Sequence, residues 1–475
     1  MLSYFPKYFS ERAIYLYLAI LLIVSVAFGH PMTWYWWVFG IVEVVAFFHF
    51  SNQLTRQWAN LSNKNFEKKI FTVSLLLRIA FAIFSYYFYV NVANDFMGFG
   101  SADANTYHIF ASKGADMIKD GHFNFREEFN AMGYFSRGVD IGDMGFPIYQ
   151  SFVYLISGKS MVFSRCLNSL FSAWTVVLVY RLAKRCFGEN VARMTAIFCV
   201  LMPNFILYCG IQLKETVMLF LSMLFVERAD AAIRSPRLDV KQLLVVLVIG
   251  GLTFFFRAVL CVVLLLAFFF ALVFSSTKVA TKGKRLLMIF FSILLIAITF
   301  GNVIMEDLQV GDYKDVQEQQ EQNIQWRAER ENGNSLAKYA GAAVFAPLIF
   351  TIPFPTMVDI PDQETQQMFH GGNYVKNIIS FFTIFALIVL FLTGKWKDLA
   401  LPTAYMLGYL VVLVFSNFAQ SERFHLPILP ISLMCAAYGI SLMTNKHKRW
   451  FNYWMAFIFV ANVGWAWFKL RGRGM

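Results

Sequence analysis

The sequence predicts an all-α polytopic membrane protein, and three observations carry that prediction. Hydrophobic residues make up 58% of the 475 positions and charged residues only 15%, against roughly 45–50% and 25% in an average soluble domain. The apolar residues fall in blocks of about 17–24, long enough to cross about 30 Å of hydrocarbon as helix. The Lys and Arg residues cluster between those blocks. Lipid offers no hydrogen-bond partners, so the backbone of each block must satisfy itself, as a helix does.

In chain order the blocks are 13–29, 34–50, 70–93, 161–182, 191–209, 215–229, 242–256, 258–274, 286–304, 375–393, 398–416, 427–443 and 451–467, a bundle of about 12–13 transmembrane helices. The first follows Lys7 and Arg12 without a small-residue cleavage site. It reads as a retained span and not as a removed signal peptide. Residues 1–69 then hold two N-terminal helices and a loop, and 70–304 a transmembrane core with a first long loop at 94–160. Residues 305–374 form a second long segment, and 375–475 the C-terminal helices.

Orientation follows from the positive charges, which stay cytoplasmic in short loops. Counting from a cytoplasmic N-terminus puts Lys7 and Arg12 inside, with the clusters at 56–69, 184–185, 228–237, 278–285, 395–397 and 446–449. Both long segments are then extracytoplasmic. Lys469, Arg471 and Arg473 fall outside on this count, so the last block is expected not to cross fully. Making 340–356 an extra span would repair that at the cost of turning two basic loops outward. Pro347, Pro353 and Pro355 interrupt 340–356 and favour a re-entrant or interfacial segment instead.

The net charge of +12 does not indicate a nucleic-acid binder, because the basic residues sit in the loops between spans. Cys166, Cys186, Cys199, Cys209, Cys261 and Cys435 lie in or beside apolar blocks without CxxC spacing, and read as packing residues. No Asp/His spacing in the outer loops matches a metal motif, so no metal ligand is assigned.

Four places in the outer segments carry candidate chemistry. Asp103, Tyr107, Ala111 and Gly114 fall on one face of a short helix expected to lie along the membrane surface. Asp103 is either its N-cap or a carboxylate made more basic by desolvation, and Tyr107 and His108 stand beside it as candidate substrate contacts. Asp140 and Asp143 follow in the same loop, as solvating acids or as further site carboxylates. Lys214 and Glu215 lie at a span boundary; they read as a helix-end ion pair or as a site where Lys214 holds a lipid phosphate. Arg257 sits in a short apolar turn, where it either snorkels to head groups or binds phosphate. Arg423 and His425 lie near Glu422 at the mouth of a Pro-initiated span. Arg suits bidentate phosphate recognition, and His donates to the same group or shuttles a proton.

The run Asp103…Tyr107…Ala111…Gly121 followed by Pro147-Ile148-Tyr149 resembles the first outer loop of GT-C-fold glycosyltransferases. The likeness is greatest to the protein O-mannosyltransferase and aminoarabinose transferase branch. Ser164-Arg165…Asn168…Arg185-Cys186-Phe187-Gly188 and Pro203-Asn204-Phe205…Gln212-Leu213-Lys214-Glu215 are similar to the branch's next conserved stretches. Arg423-Phe424-His425-Leu426-Pro427-Ile428-Leu429-Pro430 looks like its late outer element. The resemblance implies a GT-C-like bundle, a donor sugar carried on a polyprenyl phosphate, and inverting transfer with Asp103 as base. Lys214, Arg257, Arg423 and His425 would stabilise the leaving phosphate, with Glu215 and Asp143 in the same substrate site. Some relatives use a divalent cation. Two features depart from the family: Asp103 is followed by Ala104 where an acidic pair is common, and two apolar blocks precede the loop.

The expected function is therefore a polyprenyl-phosphate-dependent glycosyltransferase of cell-envelope polysaccharide or glycan biosynthesis. It would be multi-pass in the bacterial inner membrane, acting at the extracytoplasmic side on a glycan, lipid or protein acceptor. One alternative is a repeat-unit polymerase with a polyprenyl-diphosphate donor, served by Arg257, Arg327, Arg330 and Arg423. The other is a transporter or flippase, for which Arg78 within a span and Pro203 near the end of one are the only marks.

Overall fold

The apolar blocks become helices. The computed structural model describes residues 2–98, 102–133, 141–235, 239–277, 279–290, 292–293, 329, 334, 342–361, 363–416 and 419–475. Among these every regular element is helical. In order, the helices are α1 (Lys7–Phe28), α2 (Trp34–Gln57), α3 (Asn63–Ala93), α4 (Ala102–Lys119), α5 (Phe125–Ala131), α6 (Gly145–Ser157), α7 (Met161–Phe187), α8 (Glu189–Leu201) and α9 (Pro203–Leu207). Then follow α10 (Glu215–Arg234), α11 (Val240–Phe254), α12 (Ala258–Phe274), α13 (Glu364–Met368), α14 (His370–Leu392), α15 (Ala400–Phe415), α16 (Glu422–His425), α17 (Leu429–Ser441) and α18 (His447–Arg471). The block at 286–304 and Asp140, Arg327 and Arg330 lie largely or wholly outside the described residues.

Seven described helices are long and apolar enough to cross a membrane, or eight if the bent pair α8–α9 is one span. The difference from the 12–13 blocks has physical causes. α11 and α12 are short, and α10 carries Glu215, Glu227, Arg228, Asp230 and Arg234. α10 is buried along most of its length, so neighbouring helices screen it from lipid. α3 is the opposite case. Its buried residues Phe66, Ile70, Ser74, Arg78, Ala82, Ser85 and Tyr89 form one narrow stripe, packed on α7, and Leu76, Ile83, Phe84 and Tyr87 face outward.

The bend of 52° between α8 and α9 has a local cause. Pro203 has no N–H, so the carbonyl of Cys199 loses its helical partner. Arg78, fully buried on α3, replaces it. Its Nη2 donates to Cys199 O at 2.9 Å, its Nε to Ser172 Oγ at 2.7 Å and its Nη1 to Ser74 Oγ at 2.5 Å. An intramembrane cation thus closes a broken backbone ladder, which accounts for it without a transport pathway.

The irregular chain at 351–358 is buried, and α14 holds this stretch. Asn377 Nδ2 donates to Pro353 O at 3.0 Å, Ser380 Oγ to Phe350 O at 2.6 Å, and Lys376 Nζ to Ile352 O. Non-helical backbone is tolerated at membrane depth where protein encloses it.

The block at 451–467 lies within α18, which is not among the seven helices long and apolar enough to cross a membrane. α18 is continuous over 25 residues, about 37 Å at 1.5 Å per residue. Near its start Asn452 Oδ1 accepts from Arg12 Nη1 at 2.6 Å and Tyr8 Oη at 3.0 Å. Near its end Lys469 Nζ donates to Gln363 Oε1 at 2.9 Å and Gln366 Oε1 at 2.8 Å. The helix therefore runs the depth of the bundle and delivers Lys469 to the end opposite Arg12.

Candidate active site

The first long loop is a helical cap and not a loose connection. α4 packs on α6 along the face expected to rest on the membrane. Ala111 is fully buried, Tyr107 meets Phe146 edge-on with ring centroids 5.0 Å apart, and Gly114 lies against Ser151 so closely that a Cβ would sit 2.1 Å from its Oγ. α6 is anchored in turn by the Gly145 amide, which donates to Phe255 O at 2.7 Å. These contacts fix where Asp103, in the first turn of α4, points.

Asp103 meets Arg423, 320 positions away. Arg423 Nη1 donates to Asp103 Oδ2 at 2.5 Å, and both line a cavity of about 300 Å³ with Tyr89, Tyr208, Gln366, Phe369 and Glu422. Glu215, the first residue of α10, sits behind Arg423, with Oε1 3.9 Å from its Nε. Its Oε2 has no hydrogen-bond partner among the described residues. The helix N-terminus favours a carboxylate there. Tyr208 and Glu422 line the same cavity. The guanidiniums of Arg423 and Arg257 lie 4.9 and 4.4 Å from the centre of the Phe424 ring, a geometry in which a ring stabilises each cation.

The other expected residues are placed differently. Lys214 and Asp143 pair with each other, tying the end of the first loop to the turn before α10, and neither lines the cavity. His425 is buried and faces inward. Its Nε2 donates to Ala419 O at 2.8 Å, and its Nδ1 accepts from Lys376 Nζ at 2.8 Å. Both ring nitrogens are committed, so in this arrangement His425 offers nothing to a phosphate and serves to hold Lys376 on the irregular chain at 351–358. His108 bonds Tyr154 through Nδ1 at 2.9 Å; burial, aided by Lys159, pushes its imidazole below the ordinary value. Asp116, further along α4, is held below the usual carboxylate range by its hydrogen bond from Lys159.

Tyr208, Gln366 and Lys469 belong to the site or its border but were not singled out as site residues from sequence. For Lys469 a signal existed, since it was the cation that broke the charge pattern. Arg165 is another such residue. It is fully buried, donates from Nη2 to Phe96 O at 2.5 Å, and lies 5.6 Å from the centre of the cavity-lining Tyr89 ring.

Among the described residues no group of three or more His, Cys, Asp or Glu side chains is placed to hold a metal ion. Arg423 already occupies Asp103. This donor set among the described residues does not suit a divalent cation.

Chemically, the cavity presents a carboxylate beside a cation under an apolar and aromatic wall. That combination removes a proton from one group and stabilises negative charge on another. The model of the family described as dolichyl-phosphate-mannose-protein mannosyltransferase matches residues 144–300. The match agrees with the resemblance to GT-C-fold membrane glycosyltransferases, over a segment that includes Arg165, Lys214, Glu215 and Arg257 but neither Asp103 nor Arg423. No curated protein matches the chain. Bundle and family match together support a multi-pass membrane glycosyltransferase.

Proposed function

We propose that the chain is an inverting transferase that moves a hexosyl or pentosyl group from a polyprenyl phosphate to a hydroxyl of a cell-surface glycan, lipid or protein. The reaction takes place at the extracytoplasmic face of the bacterial inner membrane. The contact between Asp103 and Arg423 at the cavity is the observation that carries this reading. As the acceptor oxygen bonds to the anomeric carbon, Asp103 takes its proton. The bond from that carbon to the phosphate oxygen breaks, and the electron pair leaves with the phosphate. Polyprenyl phosphate is a stable anion, so departure needs positive charge more than a proton. Arg423 supplies it at the cavity, and Arg257 and Lys469 add to the local field. Glu215 holds Arg423 toward Asp103. Sidedness is supported by the Lys and Arg clusters around α3 and α7, which lie at the other end of the bundle and stay cytoplasmic.

The test is turnover by the purified chain in nanodiscs with a panel of polyprenyl-phosphate sugars, followed as release of polyprenyl phosphate. Asp103→Asn should lower turnover about a hundredfold or more, the scale for loss of a general base. Full turnover in that variant would remove Asp103 as base. Chain growth only from a diphosphate-linked oligosaccharide would replace the transferase by the polymerase.

A further inference from the structure

A second groove lies far from Asp103. It has a volume of about 630 Å³ and runs between the first turns of α3 and the last turns of α7. Lys64 in this groove and Tyr89 at the Asp103 cavity are 25 positions apart on one helix, about 37 Å at 1.5 Å per residue. The two sites therefore face opposite surfaces of the bundle.

One wall of the groove is apolar. Phe71 and Trp174 stand with ring centroids 5.0 Å apart above Val177, and Trp174 is 42% exposed. A Trp so placed is at home at the boundary between hydrocarbon and head groups. The rim is cationic, with Lys64, Lys68, Arg181 and Lys184. Two of these cations have carboxylates: Arg181 Nε reaches Glu67 at 3.1 Å and Lys184 reaches Glu189 at 3.0 Å. Lys64 and Lys68 are exposed, one helical turn apart, and form no ion pair among the described residues. Like charges at this spacing repel, and an anion between them removes the repulsion.

We propose that this groove binds the head group of an anionic glycerophospholipid, with the phosphate at Lys64 and Lys68 and the acyl chains along Phe71 and Trp174. The site is independent of the sugar-transfer reading, since it involves another leaflet and other residues.

The experiment is native mass spectrometry of the full chain released from neutral detergent, titrated with phosphatidylglycerol or phosphatidylcholine. The wild type should prefer phosphatidylglycerol. Lys64→Gln with Lys68→Gln should lose about thirtyfold of that preference, the scale for two lysines at an anionic surface. Lys448→Gln with Arg449→Gln, a charge-matched change outside the groove, should keep it. Equal loss in both pairs would overturn the proposal in favour of diffuse attraction. Inorganic phosphate displacing the lipid at equal concentration would overturn it in favour of a plain phosphate site. The lysines are exposed, so the variants should keep the wild-type unfolding midpoint; a lowered midpoint with unchanged lipid preference also counts against the site.

Discussion

Gly439→Ala is the sharpest probe of how packing sets the cavity. Where α17 crosses α14, a Cβ on Gly439 would lie 2.3 Å from the carbonyl oxygen of Phe382 and 3.1 Å from its carbon. Those atoms are backbone and cannot rotate away. Ordinary contact needs about 3.3 Å or more, so the helices must part locally by about 1 Å. Overpacking of this kind costs about 1–3 kcal/mol. The same substitution gains about 1 kcal/mol of helix propensity, which must be subtracted. Gly464→Ala on α18 supplies the control, because nothing lies within 4 Å of its added Cβ and only the propensity gain remains. The two variants should therefore differ by about 1–3 kcal/mol, with Gly439→Ala the less stable. The assay is denaturant-titrated unfolding in mixed micelles. α14 begins beside Phe369 and α17 follows Arg423, so a 1 Å displacement should also lower turnover by tenfold to a hundredfold. A gap below about 0.5 kcal/mol, on the scale of the propensity difference between sites, would refute the close-packing reasoning.

Three further outcomes are expected. Arg423→Gln should reduce turnover by about 10²–10³, the range for loss of a preorganised charge partner, and Arg423→Lys should restore only part of it because the planar fork is lost; equal rates in Lys and wild type would show that point charge suffices. Arg78→Met should destabilise the bundle by about 1–3 kcal/mol through two interhelical bonds, and adding Pro203→Ala should recover part of that by giving Cys199 O a helical partner, so strict additivity in the unfolding cycle would sink the account of the break. For His108 the folded imidazole titrates below its unfolded value; its contribution to stability is present above the unfolded pKa of about 6.5 and is lost as pH falls toward the folded value, so unfolding midpoints at pH 5 and 7.5 should lie closer together in His108→Gln than in wild type.

Much of the fold was legible because lipid imposes a simple rule on length and apolarity. The block 258–274 is α12 to the residue. Burial of a charged helix was harder to foresee, because α10 owes its place to partners such as Arg185, whose Nη1 and Nε reach Glu227 and Asp230 at 2.7 and 3.0 Å. The break at Met202–Pro203 needed Arg78 from another helix to be stable, and spacing alone does not show such a pairing. At the site, Asp103 and Arg423 were readable as chemistry. Their meeting, and the inward turn of His425, depend on tertiary contacts with Lys376 and Ala419. Lys214 and Asp143 were both noticed, but as ligands instead of each other's partner. α4 was recognised as amphipathic, yet its apolar face belongs to α6, since an amphipathic pattern states that a face is covered and not by what.

The helix that carries Lys469 follows the other described helices in the chain. α18 rests on α1 and α14, and its final turn binds the Gln363–Gln366 segment beside the cavity. During synthesis the earlier helices therefore enter the membrane before this side of the Asp103 cavity is braced. A nascent chain halted after α17 would hold Asp103 and Arg423 but would lack the brace behind Gln366, so the cavity is braced only once α18 has left the ribosome.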